Sequence, residues 1–200
     1  MESLKKFTET FEKFNCFKEE NDVQKVTMRW YPFLFIAEEL LKKNKPLNIM
    51  ETGCTRRDTK ENWTLDGNAT LIWDYLINKT GGEGNSVDID PKAVEQARVL
   101  VTKMKIHEGD SVTFLRNNLE TVKKLDLIYL DSYDWNGPPS AMHHLAEFAS
   151  VFEYLPSGCL IAIDDCHEPY FGKHFLVRIV LELFQIKPIY ESYVMVWRKP

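Results

Sequence analysis

Five short apolar runs recur along the chain, and each closes on an acidic group. They are Leu47-Asn-Ile-Met-Glu51-Thr-Gly53, Asn85-Ser-Val-Asp88-Ile-Asp90, a run within 104–108 leading to Gly109-Asp110-Ser111, Leu125-Asp-Leu-Ile-Tyr-Leu-Asp131, and Cys159-Leu-Ile-Ala-Ile-Asp164-Asp165. Stretches with apolar residues at helical spacing separate them. Strand and helix in alternation predict a mostly parallel α/β sheet with helices on both faces. The run ending at Asp131 is nearly continuous in apolar residues, as a central parallel strand buried on both faces must be. All carboxyl ends of parallel strands lie on one edge, so Glu51, Asp88, Asp110, Asp131, Asp164 and Asp165 are expected to converge on a common crevice.

The chain of 200 residues, 44% hydrophobic, suits one sizeable core. Residues 1–46 are expected to form a helical cover of the same domain, and 47–200 the sheet domain. Phe7, Phe11, Phe14 and Phe17 predict an amphipathic helix over 3–17. Trp30, Leu34, Ala37 and Leu41 predict another over 27–43, with Pro32 near its start. These helices either cover a sheet face or form a lid or homodimer contact. Asp66-Gly67-Asn68 offers cap chemistry for a helix ending near Lys79, and 81–84, rich in glycine, reads as a turn. Asp90 with Pro91 predicts a helix start, with the helix running to about Lys103. Further helices are expected from Ser111 to about Asn118, over 140–154 and over 173–184. Residues 188–192 and 193–198 then read as terminal strands, expected to be antiparallel.

The net charge of −5, from 30 acids against 25 bases with no basic stripe, argues against a nucleic-acid partner. The four cysteines lie far apart without a Cys-x-x-Cys pair, and no apolar stretch reaches the roughly 20 residues that span a bilayer. A cytoplasmic chain with reduced thiols and no membrane partner is the expectation.

Asn48-Ile-Met-Glu-Thr-Gly53, Ser86-Val-Asp-Ile-Asp-Pro91, Gly109-Asp-Ser111, Asp126-Leu-Ile-Tyr-Leu-Asp131 and Gly158-Cys-Leu-Ile-Ala-Ile-Asp-Asp165 follow one another in the order and spacing of five known motifs. From Leu47 to Arg198 the chain resembles a class I S-adenosylmethionine-dependent methyltransferase. That resemblance implies a Rossmann-like, doubly wound, seven-stranded sheet with an antiparallel C-terminal strand. It also implies that Glu51 and Gly53 border the methionine part of the cofactor, that Asp88 holds the ribose hydroxyls, that its neighbour Ile89 contacts the cofactor, and that Asp110 and Ser111 lie beside the adenine. Asp131 would face the same ligand. The chemistry agrees, since one carboxylate accepts two hydrogen bonds from a vicinal diol. The first motif departs from the family's Gly-x-Gly-x-Gly: Gly53 is followed by Cys54-Thr-Arg56-Arg57 and a charged loop to Asp66. This makes Arg56 or Arg57 a candidate partner for the methionine carboxylate, with a solvated loop as the alternative.

Asp131, Asp164 and Asp165 close neighbouring strands, and three carboxylates held together need protonation, water or a cation. All-oxygen coordination suits Mg²⁺ or another divalent metal. The arrangement is similar to that of metal-dependent O-methyltransferases of the catechol and macrocin sugar types, in which the metal aligns an acceptor hydroxyl with the methyl sulfonium. The lysine base of the catechol type is replaced here by Asp134, so Asp134 or His167 is the candidate base. His143 and His144 read as structural, and Trp63, Tyr133 and Trp135 as an aromatic wall for a small-molecule acceptor. The expected activity is methyl transfer to a hydroxyl with a divalent metal. The alternatives are a metal-independent methyltransferase, in which Asp131 and His167 orient the acceptor, and a cofactor-binding module without catalysis.

Overall fold

A computed structural model describes Lys5, Lys6, Glu9 and residues 23–56, 68–168 and 171–200, with the backbone alone for 23–28 and 167–168. The helix expected over 3–17 lies outside the described residues, apart from Lys5, Lys6 and Glu9, which are helical. Asp66 and Gly67 also lie outside them.

The described chain runs α1 (Val23–Leu41), β1 (Leu47–Thr52), α2 (Ala69–Thr80), β2 (Gly82–Asp88), α3 (Pro91–Leu100), β3 (Met104–Glu108), α4 (Ser111–Asn117), α5 (Leu119–Val122) and β4 (Leu127–Leu130). There follow α6 (Pro138–Val151), β5 (Leu160–Ile163), β6 (Cys166–Glu168), β7 (Phe171–Gly172), α7 (Phe175–Leu183) and β8 (Met195–Arg198). The main sheet has the order β3-β2-β1-β4-β5-β8, parallel except for β8. This is the doubly wound α/β fold expected, with six strands among the described residues rather than seven. Residues 188–192 supply only the isolated Tyr190–Val196 bridge. Pro188 has no N–H to lend to a ladder.

Alternation along the strands divides the core into two layers. Ile49, Leu127, Tyr129, Leu160 and Ala162 face α1, α2 and α3. Met50, Ile128, Leu130, Ile161 and Ile163 face the helices α4, α6 and α7. Each leucine, isoleucine or methionine among them, removed from water, contributes roughly 1.5–3 kcal/mol. Among the described side chains of α1, Pro32, Phe33, Ile36, Ala37 and Leu40 are buried. Of the four residues expected on the covering face, Ala37 is fully buried, and Trp30, Leu34 and Leu41 pack partly buried against the same core. Pro32 lies in the interior of α1 rather than near its start. It forfeits one backbone hydrogen bond, and burial of the residues around it offsets that loss.

The glycine-rich turn expected over 81–84 is largely strand. Gly82 opens β2 at φ 107°, and a Cβ there would lie 2.1 Å from the Leu47 carbonyl oxygen, so glycine is what lets β2 run against β1. Asp90 caps α3 by accepting from the Lys92 amide at 2.9 Å, with Pro91 in the first turn, as expected. The stretch after Asp165 departs more strongly. It forms the β6–β7 hairpin, and α7 starts at Phe175 rather than Lys173. Among the described residues no helix is long and apolar enough to cross a membrane.

Candidate active site at the carboxyl edge of the sheet

A cavity of about 550 Å³ opens beyond the carboxyl ends of the strands. Its lining includes Gly53, Asp88, Ile89, Gly109, Asp110 and Ser111, together with Asp131, Tyr133, Asp134 and His143. The expected convergence of strand ends is therefore present, but the acids divide into those that face the cavity and those that sit beneath it.

At the end of β1 the chain must turn sharply. Gly53 adopts φ 80°, and a Cβ there would meet the Asp131 carbonyl oxygen at 2.6 Å, so the β1 and β4 ends touch only because this residue is glycine. Side chains supply the rest of the turn in place of further glycines. The Cys54 amide donates to Asp88 Oδ2 at 3.0 Å, the Thr55 amide donates to Thr70 Oγ1 at 2.9 Å, and the Thr55 hydroxyl donates to Asn68. Asn68 is the N-cap residue of α2 yet makes no side-chain cap bond, because its oxygen serves Thr55.

Glu51 does not reach the cavity. It is 1% exposed and accepts a hydrogen bond from the Thr70 hydroxyl at 2.8 Å. Burial pushes its carboxyl up to about 8. A folded-state value above the ordinary 4.5 means that the folded chain keeps a proton that the unfolded chain releases, so stability falls as pH rises from about 4.5 to about 8. Across two pH units inside that window the effect is on the order of 3 kcal/mol. In Glu51→Gln this component of the pH dependence should disappear. Urea denaturation at about pH 5.5 and pH 7.5 checks it, and parallel behaviour of the two proteins would refute it.

Asp88 is positioned by two backbone donors, Cys54 N on Oδ2 at 3.0 Å and Asp90 N on Oδ1 at 2.9 Å, which leaves each oxygen a second lone pair for a ligand. Beside it Ile89 is 73% exposed, an apolar side chain on the cavity wall with no core to enter. Asp110 caps α4, accepting from Thr113 N at 2.8 Å, which holds its carboxyl below the ordinary range. Ser111 lies 3.0 Å from His143 Nε2. His143 therefore belongs to the cavity wall rather than to structure alone. It is held by buried Glu147, which raises its pKa, and Glu147 itself is brought down to about 2 by His143 and His144 against its burial. His144 is the structural histidine, fully buried and lowered to about 4 by desolvation.

The three acids of β4 and β5 do come together, but around protein cations. Lys173 Nζ lies 2.8 Å from Asp131 Oδ1 and 2.9 Å from Asp165 Oδ2. Arg29 from α1 reaches Asp164 at 3.2 Å and Asp165 at 3.0 Å. The Tyr129 hydroxyl donates to Asp164 at 2.7 Å, and the Tyr193 hydroxyl donates to Asp165. Burial pushes the Asp131 carboxyl up to about 7; Lys173 pulls it down while Asp164 and Asp165 push it further up. Burial would also raise Asp165, yet Lys173 and Arg29 bring it down to about 2. Among the described residues no group of three or more His, Cys, Asp or Glu side chains is arranged to hold a metal ion. The donor set thus fits a divalent cation poorly, because its oxygens already serve an ammonium, a guanidinium and two phenols.

Arg56 meets Asp134 in a bidentate pair, 2.6 and 3.1 Å, across the mouth of the cavity. This holds Asp134 below the ordinary carboxylate range, so it makes a poor base at neutral pH. The pair is largely exposed and adds little stability. Of the expected aromatic wall, Tyr133 lines the cavity, 5.3 Å from the His143 ring, whereas Trp135 stands edge-on to Phe171 at 4.9 Å and is not part of the lining. Trp63, Arg57 and the side chain of His167 lie outside the described residues; the backbone of His167 is in β6. Sequence reasoning missed Arg29 and Lys173, whose one visible signal is a charge set among apolar neighbours.

No family model and no curated protein matches the chain. Among solved structures, MycE methyltransferase from the mycinamycin biosynthetic pathway, in complex with Mg, SAH and mycinamycin VI, superposes with a TM-score of 0.64 at 16% identity. The match covers 96% of this chain and 54% of that one. The chain has the fold of S-adenosylmethionine-dependent methyltransferases. It spans about half the length of MycE. CalS11, described as TDP-rhamnose 3'-O-methyltransferase, an enzyme in calicheamicin biosynthesis, matches with a TM-score of 0.59 at 18% identity over 98% of this chain and 93% of its own. The N-methyltransferase NodS from Bradyrhizobium japonicum WM9 matches with 0.53 at 12% identity over 87% and 97%. Within this methyltransferase fold the first turn is unusual in being held by Asp88, Thr70 and Asn68 side chains rather than by a run of glycines.

Proposed function

We propose that the chain transfers a methyl group from S-adenosylmethionine to a hydroxyl of a small molecule. The observation that carries this reading is the cavity lined together by Asp88, Ile89, Asp110, Ser111 and Asp131. Asp88 would accept from the ribose diol, Ile89 would cover an adenine face, and Gly53 would give the methionine end close backbone approach. The cofactor would supply an electrophilic methyl group on a sulfonium. The acceptor oxygen forms the new O–CH₃ bond as the S–CH₃ bond breaks, and its proton passes to the Asp131 carboxylate. Among the described residues only Oδ1 of that carboxylate has a partner, which leaves Oδ2 for the acceptor. Holding the two reactants in one cavity supplies most of what this displacement requires.

Calorimetric titration with S-adenosylhomocysteine tests the reading, together with its production from S-adenosylmethionine and an acceptor. Asp88→Asn should weaken S-adenosylhomocysteine by roughly 10- to 100-fold, the worth of a hydrogen bond to a charged group. No detectable binding to the unaltered chain would remove the reading, and binding without turnover on any sugar or catechol acceptor would favour a non-catalytic module. A second form places a divalent metal at Asp131, Asp164 and Asp165, and the Mg in the MycE complex favours it. Activity that persists in EDTA excludes that form.

A further inference from the structure

We propose that Lys173 is a built-in substitute for a divalent cation, tying the β4 and β5 ends together so that the site has no place for a dissociable metal. Its catalytic meaning rests on the methyl-transfer reading above; its metal-binding consequence does not.

The first support is occupancy. Of the six carboxylate oxygens on Asp131, Asp164 and Asp165, five carry protein donors. Asp131 Oδ1 and Asp165 Oδ2 take Lys173, both Asp164 oxygens lie within 3.3 Å of Arg29 Nε, and Asp165 Oδ1 takes Arg29 and Tyr193. A hard divalent ion needs about six oxygens around it, and here Asp131 Oδ2 alone has no protein donor among the described residues. The second support is charge. Even with all three carboxylates ionised, one ammonium and one guanidinium leave no more than a single negative charge, so a dication would have to expel a lysine that is already desolvated. Lys173 is 1% exposed, and its Nζ also approaches the Asp131 carbonyl oxygen at 3.5 Å.

The third support is the device that places it. The β6–β7 hairpin folds the chain back over the end of β5, and the Lys173 amide donates to the Asp165 carbonyl at 3.2 Å. Gly172, at φ 145°, passes so close that a Cβ would lie 2.6 Å from that same carbonyl oxygen. The backbone thus delivers the ammonium to the gap between two strand ends, where its position does not depend on metal supply. Lys173 does not line the cavity. It is a positioning residue that fixes Asp131 Oδ1 and leaves the other oxygen to the acceptor.

Electron paramagnetic resonance of Mn²⁺ with the full chain tests this directly. The unaltered chain and Lys173→Arg should leave millimolar Mn²⁺ free, whereas Lys173→Ala should bind one ion. Its thermal midpoint should then rise by roughly 5 °C at about 100 times the dissociation constant. Mn²⁺ bound by the unaltered chain and lost in Asp165→Asn would overturn the proposal, as would a folded Lys173→Ala that gains no site. Should Lys173→Ala fail to fold, silence of both the unaltered chain and Lys173→Arg toward Mn²⁺, with S-adenosylhomocysteine binding unchanged by EDTA, still supports it. Binding of Mn²⁺ to either overturns it. S-adenosylhomocysteine titrated into the same samples reads the cofactor site separately, so its failure removes methyl transfer without touching the metal result.

Discussion

Asp131→Asn is expected to lower methyl transfer by about 10²- to 10⁴-fold, the range for loss of a positioned general base. S-adenosylhomocysteine affinity should stay within a few-fold. The amide keeps the shape of the carboxylate and can still accept from Lys173 through Oδ1, so the β4 end stays in place. What it loses is the ability to take the proton. Because burial and the neighbouring acids push Asp131 up to about 7, the base is only partly ionised at neutral pH. The ionised form is the active one, so kcat/KM should rise as pH rises through about 7 and then level off, and the residual rate of Asp131→Asn should be flat across that range. A variant within a few-fold of full activity, or one that keeps the inflection, would move the base elsewhere, with His167 next in line.

Lys173→Met should destabilise the fold by about 3–5 kcal/mol near neutral pH, because it strands buried carboxylates with one guanidinium between them. The sign with pH follows from the groups involved. Lys173 is raised by Asp131 and Asp165 against its burial, so its contribution is complete below the ordinary lysine value of 10.5 and is lost only as pH rises past the higher folded value. Asp165 is lowered to about 2, so its contribution is present above 3.8 and fades as pH falls through about 2. Between those limits the variant lacks the lysine charge, and protonation of Asp131 is what relieves it. The penalty should therefore be larger at about pH 8 than at about pH 5 by urea denaturation. A loss under about 1 kcal/mol at pH 8 would show that water reaches these acids.

The sheet was legible because its signal is local: short runs that close on an acid, unbroken in apolar residues at β4 and β5, with helical spacing between. Asp90-Pro91 read directly as a helix start for the same reason. Gly82 did not, since a glycine that permits close strand approach has the same letter as one that makes a turn. The acids were legible as a set because parallel strands share an edge. Their partners were not, because Arg29 stands 135 residues from Asp164 and Lys173 hangs on a hairpin with no alternation to announce it. A carboxylate cluster shows that positive charge must arrive; whether an ion or a side chain brings it is a tertiary fact. The burial of Glu51 was not legible for a similar reason: a strand-end acid points up or down according to the pleat, and this one points into the protein beside Thr70.

Arg29 also bears on how the chain is made. During synthesis the acids at 164 and 165 emerge long after the helix that neutralises them, and the Tyr193 hydroxyl comes later still. Contacts of such sequence separation form slowly. Lys173 follows those acids soon after in the sequence, so Arg29 is the cation that must dock from afar, and the charge balance of the candidate site waits on that long-range contact.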